Sequence, residues 1–298
     1  MFIAEMFPLV RGTLKENVNI GKQSFFGVDG FAEVLFIPED ADDLVFFMRS
    51  IPKDVKVTVL GAMSNVLIRS GGIPGVTVML EKWFNNIFVE DSILEVGAAV
   101  NCGKLSAAAI DNELGGLEFL MGIPGTIGGA IRMNAGCYGA KISDILVEFE
   151  GITFSGRVKW FTNADIKFGY RSSNISPNII ITRAWFRGVS GVNYSIARRV
   201  NEIVNQRRNS QPLNHRSCGS TFKNPDCAKA WELIDAAGCR GLVIGGAMVS
   251  EKHCNFIINA NNATADDIED LGELVIEKVF DNSGIRLEWE IVRLGNRI

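Results

Sequence analysis

Polar groups able to hold anions or move protons crowd into one short span of this sequence. Arg207, Arg208, Gln211, His215, Arg216, Ser220, Lys223 and Asn224 lie within eighteen residues. Arginine suits phosphate and carboxylate because its planar fork makes paired hydrogen bonds. In GSTFKNP (219–225) a serine follows a glycine and a proline closes the segment, a pattern that holds a hydroxyl on a constrained loop. Arg171 sits in FGYRSS and Glu290 in LEWE, and spacing alone does not bring Arg171, Ser220 and Glu290 together. A single Arg or Glu is more often a solvated surface group.

Glycine is dense elsewhere. Gly61, Ala62, Met63, Ser64 and Asn65 follow a strand-like run. Some sixty residues on come Gly122, Pro124, Gly125, Thr126, Gly128 and Gly129, then Asn134, Gly136 and Gly139. Glycine tolerates positive φ and lets backbone N–H groups approach an anion closely. Two such loops converging could cradle a pyrophosphate, and ordinary tight turns are the plain alternative. Neither familiar phosphate motif is met. In VGAAVNCGKLS, Ala98 and Leu105 stand where a P-loop needs Gly and Ser/Thr,. Gly122, Gly125 and Gly128 are spaced by three, unlike the G-x-G-x-x-G turn of a Rossmann domain,.

The other residue types limit the chemistry further. His215 and His253 are the only histidines, so a three-histidine zinc site is excluded and no metal is expected,. No histidine precedes His215, which rules out a histidyl-linked cofactor in the glycine-rich half. No G-x-S-x-G elbow is present,. The six cysteines form no C-x-x-C pair and read as reduced thiols of a cytoplasmic protein, with Cys218, two residues before Ser220, the one to watch,. The N-terminus MFIAEMFPLVRG lacks the basic start of a signal peptide, and no apolar run approaches a membrane span,.

The elements that must position these groups follow from periodicity and composition. At 298 residues and 47% hydrophobic content the chain can bury a large core,. A net charge of −4 gives no basic excess for coating nucleic acid,. FAEVLFIPEDADDLVFFMRSIPKDVKVTVLG reads as strand, acidic turn, helix and strand. GVTVML (75–80) and ILEVGA (93–98) flank a helix over about 102–114, and 143–188 is strand-rich,. Ile196, Val200, Ile203 and Val204 mark one face of a helix over 195–208,. A second helix follows Pro225, with Gly238 ending it. Thr264 with Asp267 forms a capping-box start for a third, striped by Ile268, Leu271, Val275 and Val279,. Strands NFIIN (255–259) and RLEWEIVRL (286–294) complete an α+β layout.

In order, these segments resemble the UDP-N-acetylenolpyruvoylglucosamine reductase family of bacterial peptidoglycan synthesis. The resemblance runs from about Arg11 to Gly295. Its landmarks are RG…EN (11–17), AEVLFIP (32–38), SNVLIRSGGIPGV (64–76), GLEFLMGIPGTIGGAIRMNAGCYG (116–139) and FGYRSS (168–173). They continue with QP (211–212), GSTFKNP (219–225), IGGAMVSEKHCNFIINANNATADD (244–267) and GIRLEWE (284–290).

The resemblance implies a three-domain flavoprotein: an FAD-binding fold of the PCMH/vanillyl-alcohol-oxidase type plus a C-terminal α+β substrate domain. Residues 1–62, completed by 285–298, would form one FAD-binding subdomain, 63–191 the second and 192–284 the substrate domain. FAD would lie by Gly61–Asn65 and Gly122–Gly129, with Asn134 and Gly136 nearby, and NADPH would reduce it. The substrate implied is UDP-N-acetylglucosamine enolpyruvate, whose C2 gains carbanion character when hydride adds at C3. Arg171 matches the residue that holds the resulting enolate charge, with Glu290 assisting, and Ser220 matches the proton donor to C2. Glu288 is the rival of Glu290. Tyr170, Arg207, Arg216, Lys223, Asn224 and His253 match substrate contacts. A monomer is the default, with no nucleic-acid or membrane partner.

Three departures stand out: Met63 where glycine is usual, QSFFGVDG (23–30), and Met248 where glutamine is frequent. Met63 leaves open whether the first loop bends differently. An FAD-dependent alcohol or amine oxidase on the same fold, and a non-catalytic flavin- or UDP-sugar-binding protein, are the competing readings.

Overall fold

β-Branched and aromatic residues in alternation build the strands of this chain. In Ile179–Arg187, IIITRAWFR, the first four residues and Ala184 and Phe186 are buried, as a central strand requires,. The computed structural model describes residues 7–191 and 193–298, so part of the N-terminal stretch read as carrying no export signal lies outside the described residues. The described chain divides into two units. The first comprises Met1–Glu16, Val34–Ala62 and Gly75–Arg207, and the second Asn17–Glu33, Met63–Pro74 and Arg208–Ile298.

The first unit holds a five-stranded antiparallel sheet in the order Val158–Thr162, Leu146–Thr153, Ile179–Arg187, Ile93–Gly97, Ile87–Glu90. Phe149 faces Phe161 and Ala184 across the ladders, and its ring stacks on Phe161 with centroids 4.9 Å apart. Helices Cys102–Asp111 and Ile127–Arg132 bury Leu105, Ala109, Ala130 and Ile131 in the same core. Each large apolar side chain so enclosed contributes about 1.5–3 kcal/mol. A four-stranded sheet, ordered Thr13–Asn19, Phe31–Ile37, Ile73–Met79, Val57–Leu60, packs against helix Ala41–Ser50 through Phe36 and Phe47. That helix starts where the Asp40 carboxylate accepts the Asp43 N–H,.

In the second unit, helix Ala265–Ser283 has the capping box expected of Thr264 and Asp267 and ends at Gly284, whose φ of +71° is left-handed,. Ile268, Leu271, Val275 and Val279 are buried as the stripe predicts. They share a core with Ala247, Val249 and Ile257 of the sheet Val243–Ile244, Ala247–Val249, Ile257–Asn259. Strand Val292–Leu294 pairs in parallel with Val66–Ile68. The Glu269 carboxylate, 5% exposed, receives Arg69 at 2.6 and 2.9 Å and Arg293 at 2.9 Å, joining that strand pair to the helix.

Four predicted elements are shorter than their sequence pattern. Helix 102–114 ends at Asp111, where Asn112 turns its amide to Ala108 O. The helix after Pro225 begins only at Ala230, with Gly238 at φ +68° just past its end. Strand 286–294 survives as Val292–Leu294 and a single bridge from Trp289 to Phe222. The amides of Glu290 and Ile291 both donate to Thr221 O, a bulge-like doubling that breaks the ladder,. NFIIN likewise narrows to Ile257–Asn259.

Candidate active site

The two glycine-rich loops converge within the first unit. Gly61 follows strand Val57–Leu60, and a Cβ added to it would overlap Thr126 Oγ1. The second loop is pinned to 98–102 by three backbone bonds. Cys102 N–H donates to Gly125 O at 3.0 Å, Ile127 N–H to Val100 O at 2.9 Å, and Gly128 N–H to Ala98 O at 2.9 Å. Gly125 has φ +122°, a conformation suited to glycine,. A Cβ at Gly122 would come within 2.9 Å of Cys137 Sγ and of the Tyr138 ring. Gly129, by contrast, is exposed, and a Cβ there meets nothing nearer than Thr126 Oγ1 at 3.8 Å. Bare backbone packed from behind and open in front fits the close approach a dinucleotide needs. Ala62 and Pro124 belong to the same stretches.

Met63, Ser64 and Asn65 belong to the second unit. Met63 has φ +52° and is 4% exposed. The loop therefore keeps a glycine-like left-handed conformation at a methionine. The backbone penalty of about 1–2 kcal/mol is offset by burial of the side chain.

Arg171 is presented by a tight hairpin of the first unit. Phe168–Gly169 pairs with Ser172–Ser173, so Tyr170 and Arg171 form a two-residue turn. Arg171 takes φ +52°, unusual for a long side chain, its Nη1 donates to Gly136 O at 2.8 Å, and its guanidinium lies 5.3 Å from the Tyr170 ring centre,. Asn134, buried and at φ +43°, braces the turn. Its Nδ2 donates to Gly169 O at 3.0 Å, and its Oδ1 accepts Ser143 N–H at 3.0 Å. Asn134 and Gly136, matched to cofactor contacts by the sequence, thus also hold the Arg171 turn, a role their spacing did not announce. Arg207 is half-buried, and burial lowers its guanidinium from the usual value,.

In the second unit the backbone just after Ser220 meets that of Glu290. Glu290 N–H donates to Thr221 O at 2.8 Å, Lys223 N–H to Glu288 O at 2.8 Å, and Asn65 Nδ2 to Glu290 O at 2.9 Å. Ser220 is half-buried, after Gly219 at φ +78°. Glu288 is exposed, with its carboxylate 3.3 Å from Lys223 Nζ. The Asn224 carboxamide accepts Ala230 N–H at 2.9 Å, at the start of the next helix. Arg216 is exposed, and its backbone bridges Asn259. His253 is half-buried, 4.9 Å from the Phe256 ring, and burial lowers its pKa. A cavity of about 580 Å³ is lined by Arg208, Gln211, His215, Met248, Ser250 and Lys252, so Met248 places a thioether where an amide is usual. Cys218 is not the reactive thiol its position suggested. It is 2% exposed, lies 3.5 Å from Val66 O, and burial pushes its pKa up to about 12,.

These loops and sheets define the class first. Residues 32–162 match the FAD binding domain family. The 6-hydroxy-D-nicotine oxidase of Arthrobacter nicotinovorans superposes with a TM-score of 0.55 at 11% identity, over 94% of this chain and 88% of its own. The protein is an α+β flavoprotein of the vanillyl-alcohol-oxidase-type fold. Residues 211–294 match the family described as UDP-N-acetylenolpyruvoylglucosamine reductase, C-terminal domain. The Parvibaculum lavamentivorans UDP-N-acetylenolpyruvoylglucosamine reductase is 48% identical over 295 residues, 99% of this chain and 95% of its own length. The crystal structure of the Thermus caldophilus reductase superposes with a TM-score of 0.84 at 31% identity, covering 96% of this chain and 100% of that one. This chain belongs to the UDP-N-acetylenolpyruvoylglucosamine reductase family.

Proposed function

We infer that this protein reduces UDP-N-acetylglucosamine enolpyruvate to UDP-N-acetylmuramate with NADPH and FAD, in bacterial peptidoglycan biosynthesis. The observation that carries the reading is likeness to reductases of that name over 99% of the chain. A bound FAD would supply the redox chemistry, the transfer of hydride from NADPH to the enolpyruvyl group. Gly61–Asn65 and the 122–129 loop are the residues proposed to hold the FAD, together with Asn134 and Gly136.

The chain's own residues handle the charge and the proton. Arg171 is proposed to bind the carboxylate into which the C2 charge spreads, where a fixed cation in a dry site lowers the barrier. Ser220 is proposed to deliver the proton to C2. A hydroxyl is a weak acid, but a carbon anion is a far stronger base, so the transfer runs downhill. Glu290, backbone-paired beside Ser220, is favoured over Glu288, whose carboxylate is spent on Lys223 at the surface. Tyr170, Arg207, Arg216, Lys223, Asn224 and His253 are proposed substrate contacts, and the cavity beside Arg208, His215 and Lys252 is offered for the anionic nucleotide end.

The three-part division (1–62 with 285–298, 63–191, 192–284) is retained as our reading. It draws support from the FAD-domain match at 32–162 and the C-terminal match at 211–294. A cytoplasmic monomer completes the proposal. Among the described residues no helix is long and apolar enough to cross a membrane.

An anaerobic visible spectrum, followed through NADPH and then the enolpyruvyl sugar, tests the whole reading. Flavin bands should bleach with NADPH and return with the sugar. Flavin that the sugar leaves reduced, but air reoxidises rapidly, would point to an oxidase instead. Absence of flavin after reconstitution with FAD would overturn the reading altogether.

A further inference from the structure

The segment after Ser220 is held by one buried side chain that the sequence motifs pass over. Asn255 is 4% exposed and commits its backbone and side chain to four hydrogen bonds. Its backbone carbonyl accepts Thr221 N–H at 2.7 Å. Its Oδ1 accepts Phe222 N–H at 2.9 Å, and its Nδ2 donates to Phe222 O at 2.8 Å. Its own N–H donates to His253 Nδ1 at 3.3 Å. A carboxamide that returns both bonds to one residue's backbone imitates a neighbouring strand where no regular ladder forms. The irregularity is local: this is where two amides share Thr221 O and the 286–294 pattern breaks.

The rest of the loop is anchored on either side of Ser220. Thr221 is fully buried, and its Oγ1 accepts Ile257 N–H at 3.1 Å. Cys218 Sγ contacts Val66 O, and Gly219 makes the left-handed turn between. Phe222 packs on Trp289 with centroids 5.2 Å apart, next to Glu290. Ser220 is thus the half-exposed member of a run whose following residues cannot shift while Asn255 is in place. The bond to His253 Nδ1 leaves that ring's other nitrogen as the donor,.

We propose that Asn255 is a positioning residue: it sets the Ser220 hydroxyl for proton delivery by clamping Thr221 and Phe222. The inference rests on the reading of Ser220 as proton donor. Displacing a reacting group by about 1 Å costs on the order of 100-fold in rate, and buried polar atoms left unpaired favour such displacement.

The test separates the two half-reactions by stopped-flow on the FAD-loaded enzyme. Asn255→Ala should leave flavin reduction by NADPH within about twofold and slow reoxidation by the enolpyruvyl sugar on the order of 100-fold. The double variant with Ser220→Ala should be no slower than Ser220→Ala alone, because the asparagine acts through the serine. Asn255→Asp keeps the acceptor for Phe222 N–H but sets a carboxylate oxygen against Phe222 O, so it should slow reoxidation at least as much as alanine. If Asn255→Ala does not fold, Asn255→Asp combined with Ser220→Ala makes the same comparison. Losses that multiply in the double variant, or equal slowing of both half-reactions, overturn the proposal. If Ser220→Ala itself leaves reoxidation intact, it is the serine's role that fails.

Discussion

The Arg171 turn and the Ser220 loop solve the same problem with unequal investment. Each carries a polar group that must stay put, and each is braced by a buried asparagine whose carboxamide bonds to backbone. Asn134 reaches Gly169 O and Ser143 N–H, while Asn255 closes both bonds on Phe222. The first site then rests on two two-residue strands and a left-handed Arg171. The second is enclosed by a fully buried threonine, a buried cysteine and the Phe222–Trp289 contact. A left-handed backbone in a two-residue turn marks the first, and dense satisfaction of buried polar groups marks the loop. A cation that meets charge at a distance of its own side chain tolerates some slack. A hydroxyl that must align one proton with one carbon does not.

The largest expected effect is chemical. Ser220→Ala should slow flavin reoxidation by the sugar about 10²–10⁴-fold and spare reduction by NADPH. Equal slowing of both would make Ser220 structural and remove the reason for its bracing. Arg171→Lys keeps the charge and loses the fork, so reoxidation should fall on the order of 10²-fold. A smaller loss than Arg171→Ala would show how much the fork adds.

The comparison extends to stability. Glu269→Ala takes the carboxylate from Arg69, while Arg293 keeps Glu273 Oε1 at 2.6 Å, and should cost about 3 kcal/mol in the folding free energy, read by urea denaturation. Asn134→Ala leaves Ser143 N–H without its acceptor and should cost about 1–3 kcal/mol. A larger loss at Asn134 than at Glu269 would reverse the ranking of the two regions.

The Glu269 carboxylate also sets a pH dependence. Its hydrogen bonds to Arg69 hold its pKa below the ordinary value. The stability it supplies is therefore fully present above the unfolded glutamate value of about 4.3. It is lost as pH falls through the depressed folded value, because the unfolded chain then binds the proton more readily. Glu269→Gln should flatten the acid limb of a stability–pH curve, and an unchanged limb would assign that slope to other carboxylates.

The smallest effect concerns the thiols. Cys102 and Cys218 are buried, with pKa pushed up to about 12, and Cys137 and Cys254 up to about 11. Cys227 is exposed. Thiol titration of the folded protein should show one fast group, abolished in Cys227→Ser. Fast labelling of Cys218 would mean that the Ser220 loop opens readily.

Much of this was legible before any coordinates. The capping box at Thr264, the stripe along Ala265–Ser283 and the central Ile179–Arg187 strand are local patterns, and local patterns report local structure. Nine motifs in order identified the family, and with it FAD, while the roles of Arg171, Ser220 and Glu290 are what the resemblance implies. Asn255 was invisible because an asparagine opening NFIIN reads as a strand residue. Its partners lie 33 residues away at Phe222.

The sequence by itself determined the chemistry on offer: an arginine, a hydroxyl, a carboxylate, and glycine loops that exclude Rossmann and P-loop binding. It determined most helices as well, since caps and periodicity act within a few residues. Only the tertiary structure decided that Gly61 meets Thr126, that Thr221 pairs with Glu290, that Met63 keeps a left-handed backbone, and that Cys218 is sealed. Apart from the Met63 backbone, each of these is a contact between distant segments. It exists only where packing has already offset the entropy of closing the loop between them, and no spacing along the chain records that balance.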